Sequence, residues 1–195
     1  MTRKILAISL ATAIVGVLST TALAQSERLF DEIQIETAIG RIAADLRADY
    51  EGRERPVYLT IMHGGMLFAS RLALEVGIDL EFDYLHATRY RGALTGSGLA
   101  WLHRPATPLE GRVVILADDI LDEGHTLKAV RDWCEDQGAA EVIIAVLCEK
   151  IHDRRVEGIE ADYVALEVPD RYVYGYGMDF HEQGRNLPGI YAWGA

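Results

Sequence analysis

Cysteine is scarce in this chain of 195 residues: there are two, Cys134 and Cys148. Neither has a partner at metal-ligand spacing. Cys134 falls in a helical pattern and Cys148 in an apolar strand pattern, so both are expected as plain buried thiols. Positive charge is also in short supply. Lys and Arg number 19 against 30 Asp and Glu, for a formal net charge of −11. A surface of that sign repels nucleic-acid backbones and anionic membranes, so no nucleic-acid partner is expected. It does not exclude an anionic small substrate. Such a site must then be built locally, from backbone amides, a few basic side chains and metal ions. No repeat, low-complexity tract or linker divides the chain. The apolar run Ile5 to Leu18 is too short for a comfortable membrane span.

That run has neighbours of a particular kind. Arg3 and Lys4 precede it, and Ala22-Leu23-Ala24 forms a small-x-small site before Gln25. Together they have the anatomy of a secretory signal peptide. Residues 1–25 therefore read as a separate segment and 26–195 as one domain. Half of the residues are hydrophobic and 25% are charged, the balance of a globular enzyme. The chain is long enough to bury a core without staples.

Periodicity supplies the elements. From Glu27 to Tyr50, Leu29, Ile33, Ile39, Ile42 and Leu46 recur at roughly helical spacing. Val57 to Met62 reads as a strand, His63-Gly64-Gly65 as a tight loop, and the residues up to Val76 as a helix. Leu80 to Ala87 is a strand pattern. Thr88 to Gly98 has glycines and arginines without apolar periodicity, and predicts a loop. Leu99 to His103 alternates like a short strand. Arg112 to Ala117 is a strong β run, Gly124 to Gln137 is helical and closed by Gly138, and Glu141 to Cys148 and Ala161 to Val168 complete the strands. Short apolar strands alternating with helices predict an α/β fold with a parallel sheet. Ligands in such folds bind at the carboxyl ends of the strands.

One strand end is chemically unusual. Val113 to Ala117 runs into Asp118-Asp119, then Ile120-Leu121, then Asp122-Glu123-Gly124-His125-Thr126 at the start of a helix. Carboxylate oxygens accept hydrogen bonds from ribose hydroxyls. Free amides and the dipole at a helix N-terminus favour a phosphate. Gly124 permits close backbone approach, and Thr126 adds a hydroxyl. One loop can thus hold a sugar with its first half and a phosphate with its second.

The segment Val113 to Thr126 resembles the motif of type I phosphoribosyltransferases that binds phosphoribosyl pyrophosphate (PRPP). Other segments are similar to the bacterial hypoxanthine-guanine phosphoribosyltransferases, and the likeness runs from about Arg28 to Trp193. The resemblance implies a type I phosphoribosyltransferase fold: a Rossmann-like parallel sheet flanked by helices, with a small hood subdomain. It implies conversion of hypoxanthine or guanine plus PRPP to IMP or GMP plus pyrophosphate, with Mg2+. Asp122 takes the place of the general acid/base. Asp118 and Asp119 hold ribose, and Glu123, Gly124, His125 and Thr126 hold phosphate. Met62-His63-Gly64-Gly65 matches the pyrophosphate loop, where a cis peptide is expected at Met62-His63. Thr88 to Gly92 resembles the flexible catalytic loop, with Arg89 in place of the usual Ser beside Tyr90. Lys150 corresponds to the donor for the purine 6-oxo group. Pro169 to Asp179 matches the base-binding segment, where Tyr172 stacks on the purine and Val173 offers backbone groups. Asp179, with Asp118 and Asp119, is implied to hold Mg2+, and Arg185 to clamp pyrophosphate with its planar fork.

The likeness departs at His63, where many members have Lys, and at Glu123, where Thr or Ser is usual. The Glu123 side chain is expected to point away from phosphate. A preference for xanthine among the 6-oxopurines is a further reading that the resemblance leaves open. A second reading is a nucleotide-binding regulator of this fold without useful catalysis, which the acidic charge and the Asp122, Asp179 and Arg185 set argue against. Relatives are commonly homodimers or homotetramers. PRPP is a cytoplasmic metabolite, so cytoplasmic residence is expected, against the signal-like start.

Overall fold

The computed structural model describes residues 23–89 and 99–194. The signal-like residues 1–22 and the loop residue Tyr90 lie outside this range. The helix predicted from Glu27 onward is in fact two elements. Strand β1 (Ser26–Phe30) comes first and pairs antiparallel with β9 (Ile190–Trp193). Helix α1 (Glu32–Tyr50) starts only after Asp31. The Asp31 carboxylate accepts from Gln34 N at 3.0 Å, and Gln34 Oε1 accepts from Asp31 N at 3.0 Å. This reciprocal capping box satisfies two orphan donors and sets the boundary. The strand before it depends on β9 at the other end of the chain, which periodicity does not see.

The main sheet has six strands: β2 (Val57–Ile61), β3 (Glu81–Arg89), β4 (Leu99–His103), β5 (Val113–Leu121), β6 (Glu141–Ile151) and β7 (Tyr163–Pro169). Their order is β4-β3-β2-β5-β6-β7. All neighbours are parallel except β4, which runs antiparallel to β3. The expected parallel sheet is therefore mixed. The connection from Arg89 to Leu99 is too short for a helical crossover, and a short connection joins only antiparallel neighbours. The predicted loop also starts later, because Thr88 and Arg89 pair with Ala100 and Leu99.

Alternation along β5 divides the core. Ile115 and Ala117 face a cluster built with α1 and α2 (Met66–Val76), and Val114 and Leu116 face one built with α3 (His125–Asp136). Helix α1 buries Ile35, Ile39, Ile42 and Leu46, while Ile33 is 76% exposed and lies off its apolar stripe. The edge strand β4 is tied to α3 by Trp101 against Trp133, ring centroids 5.1 Å apart, with the Arg104 guanidinium 4.9 Å above Trp101. Both cysteines are buried and free. Burial pushes the Cys134 thiol up to about 12. No described helix is long and apolar enough to cross a membrane.

A second, three-stranded sheet orders β1-β9-β8, with β8 at Val173–Tyr174. It corresponds to the expected hood. Tyr174 is fully buried in it, bonded to Ser26 Oγ at 2.9 Å, and Leu23 packs against the same cluster. The hood joins both ends of the described chain.

Removal of the α1 cap isolates its contribution. Asp31→Ala is expected to lower unfolding free energy by about 1 kcal/mol, read as an earlier urea midpoint with unchanged slope.

Candidate active site

The two sides of β5 end at different places. Pairing with β2 stops at Thr60 and Ala117, while pairing with β6 continues to Leu121 and Glu149. Asp118 and Asp119 therefore lie inside β5, not at its end, with β2 gone from their flank. A cleft of about 610 Å3 opens there. Its walls are residues 61–64, residues 118–120 on β5, residues 122–127 at the turn into the next helix, His86 on β3, and Asp179, Glu182 and Arg185.

Glycine sets the spacing of this cleft. A Cβ on Gly64 would stand 1.9 Å from Asp119 Oδ2, and one on Gly177 would stand 2.1 Å from the Gly64 carbonyl oxygen. Gly177 also has φ +107°, a region closed to other residues. The hood turn, the pyrophosphate-type loop and the acidic strand thus touch through hydrogen atoms alone. The peptide bond Met62–His63 is cis. The His63 ring meets the His86 ring edge-on at 4.3 Å. Burial, aided by His63, holds His86 below its usual range. His86 was missed in the sequence because a single histidine in a strand has no motif.

The two adjacent carboxylates are costly to ionise together. Burial pushes Asp118 well above the usual carboxylate range, and the neighbouring Asp119 adds to this. Burial raises Asp119 as well, against the opposing pull of Asp118 and Arg185. Past Leu121, Gly124 takes φ +85° and precedes α3. A Cβ there would stand 2.5 Å from Ile159 Cγ2. No side chain caps this helix, so the amides of its first turn are available for an anion. Glu123 stands beside the helix start, its carboxylate 3.6 Å from His125 Nε2 and partly exposed.

Asp122 receives two donors. Lys150 Nζ lies 2.6 Å from Oδ2 and His152 Nε2 lies 2.8 Å from Oδ1. Burial would raise this carboxyl, but the Lys150 and His152 hydrogen bonds outweigh it and hold Asp122 below its usual range. Lys150 is buried and sits within β6, not after it as expected. His152 went unnoticed in the sequence, since nothing in its local pattern links it to the acidic loop.

The residues expected to meet a purine do not line this cleft. Lys150 reaches it only through Asp122. Val173 is buried in β8. Tyr172 is 47% exposed, with its hydroxyl donating to the Asp179 carbonyl at 3.0 Å. They border the cleft from beside it. Arg185 and Asp179, expected to hold different ligand groups, are paired with each other at 2.8 Å. Arg185 also donates to the Gly177 carbonyl at 2.9 Å, and Asp179 Oδ2 accepts from Glu182 N at 2.9 Å. Any anion that takes Arg185 must compete with Asp179.

No three His, Cys, Asp or Glu side chains converge on a metal position among the described residues. Mg2+ does not need such a cage: it keeps several waters and is held by one or two carboxylates plus substrate phosphates. Hard oxygen donors are present in Asp118, Asp119 and Asp179, and the strain of ionising the first two favours a cation nearby. The donor set fits Mg2+.

Comparison with known proteins agrees with this architecture. The family profile described as phosphoribosyl transferase domain matches residues 25–181. The chain belongs to the phosphoribosyltransferase family. It is 37% identical to the hypoxanthine-guanine phosphoribosyltransferase of Streptococcus pneumoniae over 158 residues, covering 80% of this chain and 87% of that protein. Against the hypoxanthine-guanine phosphoribosyltransferase of Streptococcus agalactiae the identity is 35%, over 82% of this chain and 88% of the other. The crystal structure of a hypoxanthine phosphoribosyltransferase from Staphylococcus aureus superposes with a TM-score of 0.79 at 30% identity, covering 86% of this chain and 90% of that one. The likeness to phosphoribosyltransferases seen in the sequence is thus found in the family match and in the fold.

The contact between the hood and the acidic strand gives a test. Gly177→Ala forces both a disfavoured backbone region and a clash with the Gly64 carbonyl. It is expected to destabilise the protein by roughly 3 kcal/mol, read by chemical denaturation.

Proposed function

We propose that the protein is a purine-salvage phosphoribosyltransferase, exchanging the pyrophosphate of PRPP for hypoxanthine or guanine to give IMP or GMP. The observation that carries this reading is the joint placement of Asp118, Asp119 and Asp122 with an uncapped helix start and Arg185 around one cleft. Each part of PRPP has a chemically matched wall there. The 5′-phosphate would lie on the amides of Glu123 to Thr126, with the Thr126 hydroxyl, and His125 would stand beside it. Asp118 and Asp119 would accept from the ribose hydroxyls. Arg185 and the backbone around His63 and Gly64 would hold the pyrophosphate.

Displacement at the anomeric carbon passes through an oxocarbenium-like state, while negative charge grows on the leaving pyrophosphate. Backbone amides at the helix start, and the Arg185 guanidinium once it is drawn from Asp179, would stabilise such charge. Mg2+, held by Asp179 or by Asp118 and Asp119, would supply further charge neutralisation on the pyrophosphate. Asp122, kept ionised by its two donors, would take the proton from the incoming base nitrogen. Lys150, released from Asp122, would donate to the 6-oxo group of the base. Adenine presents an amino donor at that position and would be refused. The exposed Tyr172 ring would stack on the base, and the Val173 backbone would meet its edge. Arg89 and Tyr90 would take the part of the family's catalytic loop, whose role is to keep water from a hydrolysable transition state.

The proposal extends to context. The functional domain would run over residues 26–195, in the cytoplasm where PRPP is made, and the chain would assemble as a homodimer or homotetramer.

Two measurements bear on this reading. Asp122→Asn is expected to fold normally, by circular dichroism, and to lose roughly 100-fold or more in turnover; near-normal turnover would remove Asp122 from its role. Excess chelator is expected to abolish PRPP-dependent nucleotide formation and added Mg2+ to restore it. Full activity in chelator would contradict the metal assignment.

A further inference from the structure

We propose that His152 is a positioning residue that locks Asp122 through one carboxylate oxygen and leaves the other to work on the base. The inference rests on the phosphoribosyltransferase reading above and adds a residue to it. His152 is buried, with 2% of its side chain exposed, immediately after β6. Its Nε2 lies 2.8 Å from Asp122 Oδ1. Its Nδ1 accepts from the Arg154 backbone N–H at 3.0 Å.

The second contact decides the first. A peptide N–H can only donate, so Nδ1 must present its lone pair. The ring proton then sits on Nε2 and points at Asp122. Arg154 is itself held: its guanidinium makes a two-pronged pair with Asp170, at 2.6 and 2.8 Å. Asp170 stands at the start of the segment that carries Tyr172 and Val173. A chain of fixed contacts thus runs from the base-side segment through Arg154 and His152 to Asp122.

The two donors of Asp122 differ in kind. Lys150 is a flexible ammonium on Oδ2, and its proposed duty toward the base requires it to leave. His152 is a short, buried, planar donor on Oδ1 with no alternative partner among the contacts described. When Lys150 moves to the base, His152 keeps the carboxylate plane fixed and Oδ2 faces the incoming ring. The proton then passes from the base nitrogen to Oδ2 as the glycosidic bond forms and the bond from the anomeric carbon to the pyrophosphate oxygen breaks, pyrophosphate leaving with that electron pair. Asp122 afterwards returns that proton to water. No electrons change hands beyond this heterolytic exchange.

The test compares His152→Leu, which removes the donor, with His152→Gln, whose amide can reach as a neutral donor. Initial rates with PRPP and hypoxanthine are measured across pH, alongside thermal midpoints. For His152→Leu, kcat is expected to fall roughly 10- to 100-fold, with KM for PRPP within about twofold of wild type. Its acidic limb should move to higher pH, because loss of the His152 hydrogen bond lets the Asp122 carboxyl rise. The other charged groups facing Asp122 are Lys150 and Arg154, and Arg154 in turn feels Asp170 and Glu123; all are unchanged in the variant. His152→Gln should recover most of kcat and the wild-type pH profile. A Leu variant with wild-type kcat and profile would overturn the inference, as would a Gln variant equally impaired with an unchanged thermal midpoint. If the Leu variant does not fold, the Gln variant decides alone by the same criteria. Wild-type protein without PRPP-dependent base exchange would overturn the functional reading, and this inference with it. Active wild type with an indifferent His152 sinks only the inference.

Discussion

Strand β5 is held longer on one side than on the other, and the site depends on that asymmetry. β2 leaves it at Ala117, while β6 accompanies it to Leu121. For four residues the strand is rigid along one flank and open along the other. Asp118 and Asp119 are therefore fixed by a ladder and still face space. A loop could present the same carboxylates, but with the freedom that loops have. The reach of β6 also brings Lys150 level with the end of β5, and His152 just beyond it, which is how both arrive at Asp122.

The electrostatic problem follows from that geometry. The chain carries a net charge of −11, yet the cleft is proposed to take a highly anionic ligand. It manages this without a field of basic side chains. The uncapped start of α3, the backbone near Gly64, and Arg185 supply positive potential locally. The carboxylates that remain are paired with donors or raised by burial, so their repulsion of phosphate is muted. Arg185 and Asp179 hold each other at 2.8 Å, which keeps both oriented toward the cleft.

Close packing turns these parts into one unit. Gly64 lies under Asp119, and Gly177 lies on Gly64. The hood, formed by both ends of the described chain, is thereby pressed against the strand that carries Asp118 and Asp119. On the opposite flank, Arg154 and Asp170 tie the residues after β6 to those after β7. The residues after β6 and β7 and the acidic stretch of β5 are thus bound to the same sheet by short, specific contacts.

The sequence by itself determined the fold class, the strands and helices of the main sheet, and the acidic loop with its glycine. These are local facts: alternation, helical spacing, and carboxylates at fixed intervals before a helix. Asp122, Gly124 and Thr126 follow the strand and open the helix as that local pattern has them, while Asp118 and Asp119 lie inside a strand longer than the pattern implied. It could not see that Ser26 to Phe30 would leave the first helix for a strand, because the partner strand lies at the other end of the chain. It could not see that β4 runs antiparallel, or that Tyr172 and Val173 stand beside the main cleft and not in it. Nor could it find His86 or His152, whose roles arise from neighbours remote in sequence. Tertiary structure decided those points, since a side chain's hydrogen-bond partner is set by which strands lie side by side, and single residues carry no signal of that.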